Sequence, residues 1–258
     1  MGLHIVVCIK AVMLEPPQGQ PSRSFDSLEL NPFDWPALEA ALRMKEERGG
    51  TVTALSMGPE DSVFALYEAM AMGVDRGVLV CDRALAGSDT LATSTALAAA
   101  IKKLSPFDLV LFGTRTADSD TGQVGPQTAV VLNLPMVTGA YSIRWTNSSI
   151  HVERYADGLR EEFRLSLSAA LSIHPRSAQP RGLGLFGIER AFEEGKVEKW
   201  DLAKLDLSPD QVGWAGSATR VLSLKRVTKE RKCRFIFGTA DEQVEELVSH
   251  LKKWGLTG

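Results

Sequence analysis

The chain is 258 residues long and 44% hydrophobic, enough for one large globular domain with an appendage. A net charge of -3 gives no overall positive field to draw it onto nucleic acid or an acidic membrane surface. No segment reaches the ~20 apolar residues a membrane helix needs, and the N-terminal apolar run is too short for a signal peptide's core, so a soluble, cytoplasmic protein without membrane insertion is expected.

The three cysteines, Cys8, Cys81 and Cys233, lie far apart with no C-x-x-C pair, which gives neither a zinc site nor a disulfide framework. Each sits in apolar or strand-like sequence, so a buried structural thiol is expected at all three. Charge is uneven: Lys225, Arg226, Lys229, Arg231, Lys232 and Arg234 face the single Glu230. No aromatics interleave, so a solvated strand face or flexible arm is expected there rather than a nucleic-acid patch.

Residues 4–9 form a continuous apolar run suited to a strand buried on both faces. A polar, Pro-rich excursion follows over 15–30. Asn31, Pro32, Phe33 and Asp34 then open a helix, with Asp34 as its N-cap and Gly49 and Gly50 as its stop. Residues 51–57 predict the next strand, 59–72 a helix closed by Gly73, 76–81 a third strand and 88–104 an alanine-rich helix. Residues 108–113 predict a fourth strand, and a loop through Asp118 and Asp120 leads to a fourth helix near 123–132. Strand and helix alternating in this way predict an α/β fold: a Rossmann-like, mostly parallel sheet with helices on both faces. Ligands of such sheets sit beyond the carboxyl ends of the strands, here residues 9–11, 57–58, 81–83 and 113–120.

After Pro135 the period changes. Residues 141–145, 150–154 and 161–167 alternate like half-exposed strands and predict an antiparallel extension of the sheet, turning at Asn147-Ser148-Ser149 and Asp157-Gly158. Residues 174–187 read as loop. Beyond Trp200 come a polar stretch, a strand-like segment over 234–237 and a helix over 241–254. The expected organisation is a nucleotide-binding domain over 1–200 and a C-terminal arm over 201–258, too thin for a core of its own and laid against a partner.

Three motifs invite a chemical reading. Gly182-Leu-Gly184-Leu-Phe-Gly187 matches G-x-G-x-x-G, but prolines separate it from the preceding strand, so a mobile surface loop is expected instead of a dinucleotide fingerprint. Asp118-Ser-Asp120-Thr-Gly122-Gln-Val-Gly125 runs from a strand end into a helix. Its small residues and the helix N-terminus suit a phosphate, and a plain capped turn is the competing reading. No Lys followed by Ser or Thr is present, which excludes a P-loop. Gly87-Ser-Asp-Thr90-Leu-Ala-Thr93 is a third strand-to-helix junction. It reads as an N-cap at Ser88 or Asp89, with ligand contact by Thr90 or Thr93 as the alternative. None of His4, His151, His174 and His250 accompanies a nucleophile. A nucleotide pocket without bond-breaking machinery points to a cofactor carrier rather than a catalyst on its own.

Taken together, Ile5-Val-Val-Cys-Ile-Lys10, Leu30-Asn-Pro-Phe-Asp34, Ala37-Leu-Glu-Ala-Ala-Leu-Arg43-Met-Lys45, Val52-Thr-Ala-Leu-Ser-Met-Gly-Pro59, Ala69-Met-Ala-Met-Gly-Val-Asp-Arg76 and Asp118-Ser-Asp-Thr-Gly-Gln-Val-Gly-Pro126 occur in the order that resembles the electron transfer flavoprotein beta subunit. Val152-Glu-Arg154, Asp157-Gly158 and Pro180-Arg181 continue the likeness over nearly the whole chain. The resemblance implies a heterodimer with a larger alpha subunit whose FAD takes electrons from acyl-CoA dehydrogenase-type flavoenzymes and passes them to a downstream acceptor. It implies an AMP buried in the beta subunit. The implied nucleotide contacts are Cys8, Asn31, Pro32, Phe33, Asp34, Met57, Gly113, Thr116, Asp118, Ser119, Asp120, Thr121, Gly122, Gln123 and Val124, with Phe33 also turned toward the alpha subunit's flavin. Leu185 matches the leucine that anchors a partner dehydrogenase, with Ile188 beside it.

The sequence departs from that family at several positions. Val124 stands where AMP-containing versions commonly carry Thr, which resembles the versions holding a second FAD and bifurcating electrons from NADH. After Arg190-Ala191 the lysine-rich continuation is replaced by Phe192-Glu-Glu194-Gly195, and Gly182 replaces a Tyr. A stand-alone adenine-nucleotide sensor is the reading from another class.

Overall fold

Burial on both faces explains the first apolar run. The computed structural model, which describes residues 2–13, 28–146, 149–223 and 233–256, opens with β1 (Leu3–Ile9), in which Ile5, Val6 and Val7 are wholly buried. A short antiparallel ribbon of β2 (Ala11–Met13) and β3 (Leu28–Leu30) leads into α1 (Trp35–Arg48). Next come β4 (Gly50–Met57), α2 (Val63–Met72), β5 (Arg76–Val80), α3 (Thr90–Lys103), β6 (Leu109–Gly113) and α4 (Val124–Leu132). The chain continues through β7 (Met136–Trp145), β8 (Ser149–Ala156), β9 (Leu159–Ser166) and β10 (Ala169–Ile173). It then runs through α5 (Leu185–Glu193), β11 (Val197–Trp200), α6 (Leu202–Leu205), α7 (Gly213–Gly216) and α8 (Ala240–Lys253).

Nine strands form one sheet in the order β11-β5-β4-β1-β6-β10-β7-β8-β9. From β11 to β7 neighbouring strands are parallel, and β8 and β9 add the antiparallel extension. Side chains alternate between two cores. Ile5, Val7 and Ile9 pack on one face with Leu38 and Leu42 of α1 and Leu66 of α2. Val6 and Cys8 pack on the other with Leu97 and Ile101 of α3 and Ala129 of α4. The β8–β9 turn places Asp157 and Gly158 at φ 50 and 78, the left-handed pair a tight hairpin of the right twist requires.

The chain leaves β1 toward β4 and β5, then returns to β6 on the other side of β1. That reversal is the topological switch point, and it puts a crevice beyond Ile9 and Gly113.

Several expectations are corrected. Residues 201–220 belong to the α/β unit, which spans Met1–Arg220. Leu202, Leu205 and Val212 bury in the second core, so the boundary lies twenty residues later than composition suggested. Segment 234–237 is not a strand, since it has no ladder to join. The 174–187 loop ends early, because Leu185 begins α5. Strands β10 and β11, not singled out in the sequence, fill the sheet between β6 and β7 and at its edge. Only Cys8 is buried, Cys81 is half-buried and Cys233 exposed. Most of the basic stretch from Lys225 lies outside the described residues.

Candidate functional site

The switch point gathers three segments: the end of β1, the turn 31–34 and the loop 113–125. Lys10 follows β1 directly, and its Nζ lies 2.6 Å from Asp118 Oδ2. Partial burial works to raise the Asp118 carboxyl, but the Lys10 hydrogen bond and charge outweigh it and hold the group below its ordinary value. Arg115 makes the second pair, its Nε 3.3 Å from Asp120 Oδ1 and its guanidinium 4.5 Å from the Phe33 ring centroid. The two loop carboxylates are thus each paired with a cation, so they do not present a bare negative face to an incoming anion.

The loop backbone passes through two left-handed residues before the helix. Asp120 and Gly122 sit at φ 53 and 61, Asp120 N–H donates to the Thr116 carbonyl at 2.9 Å, and the Thr116 and Ser119 hydroxyls meet at 2.8 Å. α4 then starts at Val124 without a side-chain cap from Gln123. Among the described residues, the consecutive N–H groups of Thr121, Gly122, Gln123, Val124 and Gly125 find no acceptor in the protein. Alternating left-handed and right-handed residues that aim successive N–H groups outward form an anion-binding nest, and the helix terminus adds its partial positive charge.

The third junction is closed by comparison. At the start of α3, Asp89 Oδ1 accepts from the Ala92 N–H at 2.9 Å, and its Oδ2 accepts from the Thr219 N–H and hydroxyl at 2.9 and 3.0 Å. The cap is therefore Asp89, as one of the two sequence readings had it. Thr90 still reaches the site, its hydroxyl donating to Gln123 Oε1 at 3.2 Å. Thr93 is half-buried, and its side chain makes no hydrogen bond to the loop among the described residues.

Asp34 occupies the N-cap position of α1, but its side chain caps nothing there. Its Oδ2 accepts the Lys10 N–H at 2.8 Å instead. Burial pushes its carboxyl up to about 7, with the Lys10 and Gly113 N–H groups and the Asn31 amide pulling the other way. Burial and the nearby Asp34 charge likewise push the Cys8 thiol up, which makes it inert as a nucleophile. Met57 ends β4 half-buried against the second core, and the Val124 side chain packs into the same core, leaving its N–H at the loop.

The electron transfer flavoprotein domain matches residues 24–205. The electron transfer flavoprotein subunit beta of Thermoanaerobacterium thermosaccharolyticum is 36% identical over 86% of this chain and 85% of its own. The chain belongs to the electron transfer flavoprotein beta-subunit family. The caffeyl-CoA reductase-Etf complex subunit CarD of Acetobacterium woodii is 36% identical over 97% of this chain and 98% of its own. Protein FixA of Azotobacter vinelandii is 36% identical over 85% and 82%. Membership in this flavoprotein family makes electron transfer the role of the chain.

Of the three glycines in the 182–187 motif, Gly187 has a packing role. Gly187 lets α5 settle on α2: a Cβ there would lie 2.3 Å from the Ala71 carbonyl oxygen. Ile188 turns inward against the Met70, Ala71 and Ala191 cluster, whereas Leu185 and its neighbour Phe186 are 84% and 87% exposed. Ahead of the helix, the Arg181 guanidinium forks onto Glu39 and Glu46, with Nε to Glu39 Oε2 at 2.8 Å and Nη1 to Glu46 Oε1 at 2.6 Å. Sequence reasoning put Lys10 and Arg115 on the rim of the site without giving either a role, and it missed Phe186 on α5. The position of Lys10 at the end of β1 was a usable signal. The Arg115–Phe33 contact crosses 82 residues and had none.

Among the described residues, no helix is long and apolar enough to cross a membrane.

Proposed function

We propose that this chain is the nucleotide-holding subunit of a two-subunit electron carrier, and that the 113–125 loop binds the phosphate of an adenine nucleotide. The run of five unpaired N–H groups at the loop and α4 carries this reading. The nest needs only backbone donors, and its small residues leave the approach clear. Thr116, Ser119 and Thr121 supply hydroxyls along the same loop, and Thr90 orients Gln123 beside it. When bound in the alpha subunit, FAD supplies the electron-accepting and electron-donating chemistry. This chain's part is to hold the structural nucleotide, to present Phe33 at the rim and to dock a donor through the exposed Leu185 of α5.

A CoA-thioester enzyme as electron partner is supported by relatives named for CoA-thioester reductases, the caffeyl-CoA complex subunit and the acryloyl-CoA reductase electron transfer subunit gamma of Anaerotignum propionicum. An acyl-CoA dehydrogenase-type donor is the form of that partner we propose. A second reading keeps the family but puts a second FAD in the pocket in place of AMP, and the dimer then bifurcates electrons from NADH. The uncapped, solvent-facing nest is compatible with the diphosphate this would need. Val124 does not discriminate through a lost hydroxyl, because its side chain faces the core.

Nucleotide analysis of the complex purified with its alpha subunit tests the proposal. One AMP and one FAD per dimer support the first reading, and two FAD without AMP the second. A complex with no nucleotide at the beta pocket would overturn both.

A further inference from the structure

The inner face of α5 is filled by Ile188 and Ala191, which pack with Met70 and Ala71 of α2. Phe192 lies across Tyr67 of α2, the ring centroids 4.8 Å apart. The Arg181 fork on Glu39 and Glu46 fixes the chain just ahead of the helix. With these contacts made, α5 cannot roll to bury its first turn, and Leu185 and Phe186 stay out in solvent. Successive helix residues are turned by about 100°, so the two side chains spread apart as two apolar lobes. Phe186 is the more exposed of the pair, and neither side chain serves the core. A Phe that becomes covered buries roughly 150–250 Å², and an aromatic anchor on a preorganised element loses little freedom on binding.

Carboxylates border this pair. Glu189 follows Leu185 by four residues and Phe186 by three, on the same side of the helix, and Glu193 follows Glu189 by four. With Glu194 all three are exposed, against Arg190 and Lys196 in the same stretch. Arg181 does not offset them, being committed to Glu39 and Glu46. The apolar lobes thus sit beside an excess of negative charge, the complement of a partner surface rich in Lys and Arg.

We infer that Phe186 is a second anchor beside Leu185, and that Glu189, Glu193 and Glu194 select a donor flavoenzyme whose apolar pocket is rimmed by basic side chains. This rests on the reading of Leu185 as the donor-docking residue and supplies the chemistry of the partner at that site.

The test uses the complex with its alpha subunit and, as probe, an acyl-CoA dehydrogenase of the same organism reduced with its own acyl-CoA substrate. In Phe186→Ala, kcat/KM for reduction of the alpha-subunit FAD falls about tenfold or more, through KM and not kcat. Calorimetry shows the same loss of dehydrogenase affinity, and the melting temperature keeps its wild-type value because no buried contact is removed. In Glu193→Lys combined with Glu194→Lys, kcat/KM falls several-fold at low salt and meets the wild-type value at high salt. Wild-type kinetics and affinity in Phe186→Ala would overturn the second anchor while leaving Leu185 as the docking residue. Unchanged or faster reduction in the charge-reversed variant would overturn the basic-rimmed partner. Self-association of the complex that is lost in Phe186→Ala, with reduction unchanged, would make the pair a contact between copies and overturn the inference equally. A wild-type complex that the dehydrogenase neither binds nor reduces removes the donor-docking reading, and the second anchor falls with it.

Discussion

At Asp34 a carboxyl is held where water does not reach, and this sets a pH dependence of stability. The native group keeps its proton up to about pH 7, whereas an unfolded Asp releases it near 3.8. Across that interval the native state binds more protons than the unfolded state, so stability falls as pH rises. The carboxyls held low, Glu39, Asp89 and Asp118, act in the opposite sense, and their contribution is lost only as pH drops below the ordinary carboxylate range. Glu68, raised by burial, shares the sign of Asp34. Urea midpoints should therefore decline from about pH 5 to about pH 7, and the decline should flatten in Asp34→Asn. An equal slope in the variant would locate the titration elsewhere.

At the scale of elements, the core strands were legible and the close approaches were not. Residues 4–9 could be read as a central strand because burial on both faces leaves an uninterrupted apolar run. Asp118 to Gly125 could be read as a strand-to-helix loop because small residues ran from a strand into a helix. α5 was hidden by its own glycines. Gly184 is its N-cap and Gly187 its contact with α2, and both look like loop when the partner surface is unseen. β10 was hidden for another reason. It is five residues long and is inserted beside β6 after the whole antiparallel extension, a placement no local pattern encodes.

The fork of Arg181 on α1 belongs to the same scale, since it ties the lead-in of α5 to a helix 135 residues away. Glu39 is nearly buried, so Arg181→Ala leaves its carboxylate with Arg43 and the main-chain N–H of residue 181. Breaking a buried pair costs several kcal/mol, and the part-exposure of Arg181 and the remaining Arg43 reduce this to about 2 kcal/mol. Urea unfolding of the variant checks the figure, and recovery on pairing it with Glu39→Gln would identify the stranded charge as the cause. By contrast, Leu185→Asp removes no buried contact and should change stability by less than about 0.5 kcal/mol. Its effect should instead appear in the rate of reduction by the donor flavoenzyme. A normal reduction rate in that variant would remove Leu185 from the docking surface.

For the whole molecule, the two units differ in what they can support alone. The first contains the nine-stranded sheet and both cores, and its last stretch is secured by Ser217 and Thr219 bonded at the start of α3. In the second, α8 has a Thr239 capping box and basic residues in its last turn, yet none of its residues is buried. Val244, Leu247 and Val248 are exposed along it, with Phe235, Phe237 and Trp254 nearby in sequence. A well-capped helix whose apolar side is open gains its stability from packing on something else. The alpha subunit is the partner proposed for it. A chain ending at Arg220 should then keep the melting temperature and nucleotide content of the first unit and fail to co-purify with the alpha subunit. Retained pairing would move the interface onto the α/β unit, and loss of the fold would show that the second unit stabilises the sheet.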